Sequence, residues 1–527
     1  ILYVALGTVV LSSCIKETFP ESSTVTQEQI ASSASALDAS ANGISAQLSQ
    51  TYLIYGEQES ELDIALPGLF IAFSELTGEM FPCGDSGYDH FQSFNTCIGC
   101  GPTSYRSYVP WRTLYIFVKS ANDLIKAAQG SNSETAKTYE GIARTYRALW
   151  YYYLLNMYEP KANKYTDCSA VLGLTVPIVD ENTTEAQASN NPRASHEDLV
   201  NFILGDLAKA EELLKDFKPE DTTTPSLPVV LGLKAKVFMT DGKYADAYNA
   251  ADAAITAAKS LLAAEPLTEA QWLDENTGFN TAQKAWLWHF TYSAENMGNL
   301  GNWLGWMSGE ADWGYASLTV PGIDAALYDK IPDTDFRKHA WIDPEKSKFY
   351  EYKSCRGKEW IEAAPAYTSL KFRPVGGDYE TYSVGGVADV PIMRVEELFL
   401  IKAEAAGLKS SVADGVEELT AFIKAYRQKD YDCSTISSVK AFEEEILFQK
   451  KVEFWGEGIA YFDAKRMEAG CKQSYAGTNA PGDDFKINCD GIKPNWNFII
   501  PETETSSNAV LKSTNNPDPS GKAPKVL

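Results

Sequence analysis

The sequence predicts a mainly α protein: a tetratricopeptide-like scaffold of helical hairpins with an irregular Trp/Gly-rich lobe containing short β-strands. Three observations predict it. Apolar residues recur at three- and four-residue steps through long stretches on both sides of the chain's middle. One of these stretches is a small-residue hairpin of the kind that stacks in repeats. Eight of the twelve tryptophans (Trp272, Trp286, Trp288, Trp303, Trp306, Trp313, Trp341 and Trp360) fall between about 264 and 390, among glycines.

Residues 1–14 (ILYVALGTVVLSSC) form an apolar run too short to span a bilayer, ending in small residues before Cys14. That is the shape of a lipoprotein signal. Residues 1–13 are then a removed signal remnant, Cys14 carries the lipid, and 14–26 is a solvated tether. The plain alternative is a buried terminal element ending in an ordinary Cys. The body is expected over 27–504, with scaffold at 27–263 and 393–470 and the lobe inserted at 264–390.

Within the scaffold, 30–55 is Ala/Ser-rich and weakly periodic, while 111–129 and 134–158 are strongly helical. In the latter, Tyr139, Ile142, Tyr146, Trp150, Tyr153 and Met157 share one face, and Pro160 stops the helix. Ser195 is an N-cap for a helix facing inward through Leu199, Phe202, Ile203, Ala210 and Leu213. Residues 231–241, Gly242 and 244–262 make a helical hairpin whose Ala247, Ala251 and Ala254 permit close approach. A second pair is 393–408 with 412–428, and 440–468 is a last helix broken at Gly456 or Gly458. In the lobe, strands are expected at 285–291, 349–353, 369–373 and 389–393. The tail at 505–527 is polar and proline-bearing, and is expected to be loose.

The chain carries 46 basic and 71 acidic residues, a net charge of −25, which disfavours nucleic acid and anionic headgroups as partners. A neutral or cationic ligand suits such a surface better. Eight cysteines follow Cys14, too few for a disulfide scaffold. Cys83, His90, Cys97 and Cys100 are four possible zinc ligands in one loop, but their spacing matches no zinc module. Cys97 and Cys100 read equally as a local disulfide or free thiols, so no metal or other cofactor is expected. Gly84-Asp85-Ser86-Gly87 resembles a serine-protease nucleophile loop, yet Tyr88 replaces the next glycine and every histidine follows Ser86. There is no H-E-x-x-H, Walker A, G-x-S-x-G or G-x-G-x-x-G motif. No catalysis is expected.

Several segments together resemble one family. Residues 141–158 (GIARTYRALWYYYLLNMY) are similar to the "A-R-x-x-R-A-x-x-Y-x-x-L" helix of the SusD/RagB family, the surface nutrient-binding lipoproteins of the Bacteroidetes. Residues 173–178, 192–214, 231–255, Asp335-Phe336-Arg337 and 390–405 follow in the family's order. Residues 445–466 (EILFQKKVEFWGEGIAYFDAKR) resemble its carboxy-terminal helix, departing at Ala460 and at Lys450-Lys451.

The resemblance implies a lipid-anchored protein on the outer membrane's cell surface, touching the membrane through its anchor only. Such a protein captures a glycan and passes it to a SusC-like TonB-dependent transporter. The alternative on the same scaffold is capture of a peptide, as in RagB-like members. Among the motif residues, Arg394, Glu396, Glu404, Glu453, Glu457, Asp463 and Arg466 are expected to pair between helices rather than touch ligand. No ligand position carries over by motif, so the site is read from composition. The segment 298–315 offers Asn302, Trp303, Trp306, Trp313 and Tyr315 among glycines. The segment 78–108 offers Tyr88, Phe91, Asn95 and Arg106. Aromatic faces on loops suit pyranose rings, with amide and guanidinium groups for the hydroxyls.

Overall fold

The computed structural model describes residues 34–50, 65–83, 91–296, 298, 302–346 and 353–526. Cys14, Tyr88 and His90 lie outside them, as does most of the expected strand at 349–353. Among the described residues, no helix is long and apolar enough to cross a membrane.

The scaffold is a row of antiparallel helices. Tyr105–Gln129 packs on Glu134–Tyr158, which packs on His196–Leu214, and that on Leu227–Thr240. Tyr244–Leu262 joins Leu227–Thr240 to Val395–Lys409, followed by Val412–Tyr426 and Val439–Glu453. Ser195 caps its helix as the sequence predicts, and Ser133 caps another. Ser133 and Ser195 side chains accept from the backbone N–H groups of Ala136 and Asp198. Ala247, Ala251 and Ala254 are fully buried at the helix crossing. The last helix breaks at both glycines: Gly456 and Gly458 take φ of +77° and +73°, and a Cβ on Gly458 would stand 2.8 Å from the Phe70 Cα. Ala460–Arg466 then resumes the helix.

Strands are few and paired antiparallel. β1 (Met80–Pro82) pairs with β3 (Pro321–Ile323), and β2 (Trp286–Thr291) with β4 (Asp389–Arg394). β5 (Cys471–Lys472) pairs with β6 (Asn488–Cys489). The expected strand at 369–373 does not form. Its backbone bonds go to different partners in turn, Ser369 N–H to Pro321 O and Leu370 N–H to Ala340 O, so no ladder builds. The tail also departs from expectation: it is docked. Leu511 is fully buried, and the Asn516 amide donates to Tyr158 O and Phe498 O at 2.8 and 2.7 Å.

His196 marks the junction of three helices. Its Nδ1 lies 2.8 Å from Glu159, which caps Glu134–Tyr158, and its Nε2 lies 3.4 Å from Asp241, which caps Leu227–Thr240. Lys243 shares Asp241 at 2.7 Å. The hydrogen bond to Glu159, against some desolvation, raises the imidazole pKa. The charged ring therefore stabilises the fold below its ordinary pKa of about 6.5, and that contribution is lost as pH rises through the higher folded value. His196→Gln is expected to lower the melting temperature at about pH 5.5 and to have little effect at about pH 9. Melting curves of the two proteins at both pH values check this.

Candidate functional site

The lobe is joined to the scaffold by a buried charge network. The Glu453 carboxylate accepts from Arg427 (2.7 and 2.9 Å), Arg394 (3.0 Å) and Arg337 (3.0 Å). Arg394 also bonds Glu457, Arg337 bonds Asp335, Arg427 bonds Glu396, and Lys371 bonds Glu457 at 2.6 Å. A second cluster joins Lys450 to Glu404 and Asp463, both at 2.9 Å, and Arg466 to the same two carboxylates. All seven motif residues are ion-paired, although Arg394 pairs from the end of β4 and Glu457 from the turn after Val439–Glu453 rather than from a helix.

The 302–315 segment is folded around a close backbone contact. Gly314 has φ of +69°, and a Cβ there would stand 2.6 Å from Gly305 Cα. That approach brings Leu304–Met307 against the turn at Tyr315–Ser317. Trp306 consequently stacks on Tyr315 with centroids 4.4 Å apart and planes 19° apart. Phe91 meets the Trp306 ring edge-on at 4.9 Å. The structure thus joins three expected residues from the two loops.

All three are buried, however. A cavity of about 20 Å³ beside Trp306, lined also by Met80, Phe81 and Pro321, has room for a water and not for a sugar. Other expected residues take structural places. Trp303 is fully buried between Phe70 and Phe372, edge-on to both. Asn302 accepts the Gly305 N–H at 2.6 Å and donates to Gly298 O at 2.9 Å. Asn95 donates to Glu75 and to Met80 O, and bonds Gln473 through its own oxygen. Trp313 is buried. Arg106 is half-buried in the first turn of Tyr105–Gln129, beside Gly99. The cysteines of the suspected loop point to separate carbonyls: Cys83 to Ala366, Cys97 to Pro519 and Cys100 to Ser93.

Sequence reasoning missed an accessible cluster beside this segment. Glu310 is fully buried, with one oxygen 2.6 Å from Arg373 and the other accepting from the Ser354 hydroxyl at 2.5 Å and the Cys355 N–H at 3.1 Å. The Ser354 hydroxyl in turn accepts the Arg356 N–H at 3.1 Å. This relay sets the Arg356 side chain over Tyr379 (5.0 Å from ring centroid) and Trp360 (5.6 Å). Asp312 lies 3.6 Å from the same guanidinium, and its N–H donates to Tyr379 O at 2.8 Å. Trp360 and Tyr379 are half-buried, while Tyr382 is exposed in the following turn. The only hint in sequence was the abundance of Trp and Tyr in the lobe.

A groove of about 780 Å³ lies elsewhere, lined by Glu79, Asp324, Glu443, Lys451, Cys471 and their neighbours. No aromatic side chain lines it among the described residues. It offers a sugar ring no stacking face.

With this geometry in place, the chain can be set beside known proteins. Residues 328–517 match the model described as the SusD family. The resemblance read from the sequence stands, and the fold is SusD-like over nearly the whole chain. A SusD-like carbohydrate binding protein from Bacteroides vulgatus superposes with a TM-score of 0.69 at 17% identity, covering 92% of this chain and 98% of that one. A SusD superfamily protein from Bacteroides thetaiotaomicron gives 0.68 at 16%, covering 92% and 100%. Surface glycan-binding protein A from the same organism, in complex with laminarihexaose, gives 0.64 at 14%, covering 92% and 99%. No curated protein sequence matches the chain. SusD-like proteins have a tetratricopeptide-like helical fold, as this chain has.

Proposed function

We propose that this chain is a glycan-binding protein that captures oligosaccharide on its central lobe and performs no catalysis. The observation that carries the reading is the accessible Trp360–Arg356–Tyr379–Asp312 cluster, set in the lobe of a SusD-like fold. Aromatic faces beside paired donors and acceptors match a sugar's apolar ring face and hydroxyl rim. The laminarihexaose complex of a structural relative supports a carbohydrate over a peptide. In the same proposal Cys14 is lipidated, the protein sits on the outer membrane's cell surface, and a SusC-like TonB-dependent transporter receives the glycan.

Calorimetry of the full chain against a panel of neutral oligosaccharides and cationic peptides tests it, with chromatography of the incubated sugars. Binding of at least one sugar, no peptide binding and unchanged sugar length are expected. Peptide binding alone would establish the RagB-like alternative, and shortened sugars would establish an enzyme.

A further inference from the structure

Arg356 is held in place yet underused. Its Nη1 makes two long contacts, 3.5 Å to Glu310 O and 3.6 Å to Asp312 Oδ1. Among the described residues its other side-chain N–H groups have no protein acceptor, although the side chain is only 23% exposed. A partly desolvated guanidinium in that state is a strong donor waiting for an acceptor. Asp312, 58% exposed, presents a carboxylate acceptor beside it. Two aromatic rings border the pair, Trp360 in the short helix Lys358–Ala363 and Tyr379 on the 378–382 turn.

We propose that Arg356 and Asp312 form a sugar-binding station that grips two neighbouring hydroxyls of a neutral pyranose, with Trp360 as the stacking face. One hydroxyl accepts from Arg356 and the other donates to Asp312. A pair of neutral hydroxyls supplies both the acceptor that Arg356 needs and the donor that Asp312 needs. A uronate carboxylate would satisfy Arg356 but would face Asp312 at close range, on a chain of net charge −25. Glu310 is a positioning residue here: its bonds to Ser354 and Cys355 fix the turn that carries Arg356. The station deepens the glycan-capture reading and rests on it.

The test is calorimetry of the full chain and of Arg356→Gln, Asp312→Asn and Trp360→Ala, with melting temperature measured for each. The probes are hexasaccharides of β-1,3-glucan, β-1,4-glucan, β-1,4-mannan and β-1,4-xylan, and an oligogalacturonate of the same length. The unaltered chain is expected to bind at least one neutral probe. Each variant should weaken that binding about tenfold or more at unchanged melting temperature, as for loss of a charge-assisted hydrogen bond or a stacking face. Neutral binding untouched by all three variants would overturn the station and leave glycan capture standing. Binding of oligogalacturonate alone, lost in Arg356→Gln, would overturn the neutral class. Silence of the unaltered chain toward every probe would overturn glycan capture itself, and the station with it.

Discussion

Glu453→Ala is expected to destabilise the protein by about 3–5 kcal/mol, the cost of leaving buried charge without its partner. The network around it balances. Arg337, Arg394, Arg427 and Lys371 face Asp335, Glu396, Glu453 and Glu457, four cations against four anions. Removing Glu453 leaves one cation uncompensated at a place where Arg337, Arg394 and Glu453 are fully buried. The loss is felt across elements, because Asp335, Arg337 and Lys371 belong to the lobe and the other five to the scaffold.

Burial alone would raise the Glu453 pKa, but Arg427, Arg394 and Arg337 outweigh it and hold the carboxyl well below its ordinary value. Its contribution is therefore present above the ordinary carboxylate range and is lost as pH falls through the depressed folded value. Urea denaturation of the two proteins at neutral pH and near pH 4 should show the gap between them narrowing in acid. A gap that is small at neutral pH would mean that the network does not join lobe to scaffold.

Trp303→Ala is expected to cost about 3–5 kcal/mol of stability, as for an indole removed from a packed core. The ring stands 5.2 Å from Phe372 and 6.2 Å from Phe70, edge-on to each. Phe372 in turn lies near-parallel to Trp455, which follows the scaffold helix Val439–Glu453. A fall in the sugar affinity of this variant would thus accompany a lowered melting temperature. Trp360→Ala removes a half-exposed ring and should leave melting unchanged. Thermal denaturation separates them; equal melting temperatures for Trp303→Ala and the unaltered chain would mean that Trp303 is a surface platform.

The scaffold was legible because its signals are local. Ser133 and Ser195 cap the helices they precede in sequence, and alanines every three or four residues announce a close crossing. The paired motif residues were legible for a different reason: so many charges on apolar-faced helices require partners. The lobe's details depend on contacts distant in sequence. Nothing near 310 indicates that Glu310 will meet Arg373 and Ser354, so Arg356 did not stand out. Nor does local pattern distinguish Trp303, which turns inward, from Trp360, which remains half-exposed. Glycines in 298–315 suggested open loops, whereas Gly314 serves a close approach to Gly305 that buries Trp306 and Tyr315. The tail is polar in composition, but Asn516 donates to the buried carbonyls of both Tyr158 and Phe498.

The central claim, that a glycan is captured on the lobe, is tested most directly by hydrogen–deuterium exchange of the full chain with and without a bound neutral oligosaccharide. The account predicts protection confined to the segments around 310–315, 354–360 and 378–382, with the helical row unchanged. Protection confined to the 395–426 hairpin, or to the groove lined by Glu79 and Lys451, would contradict it.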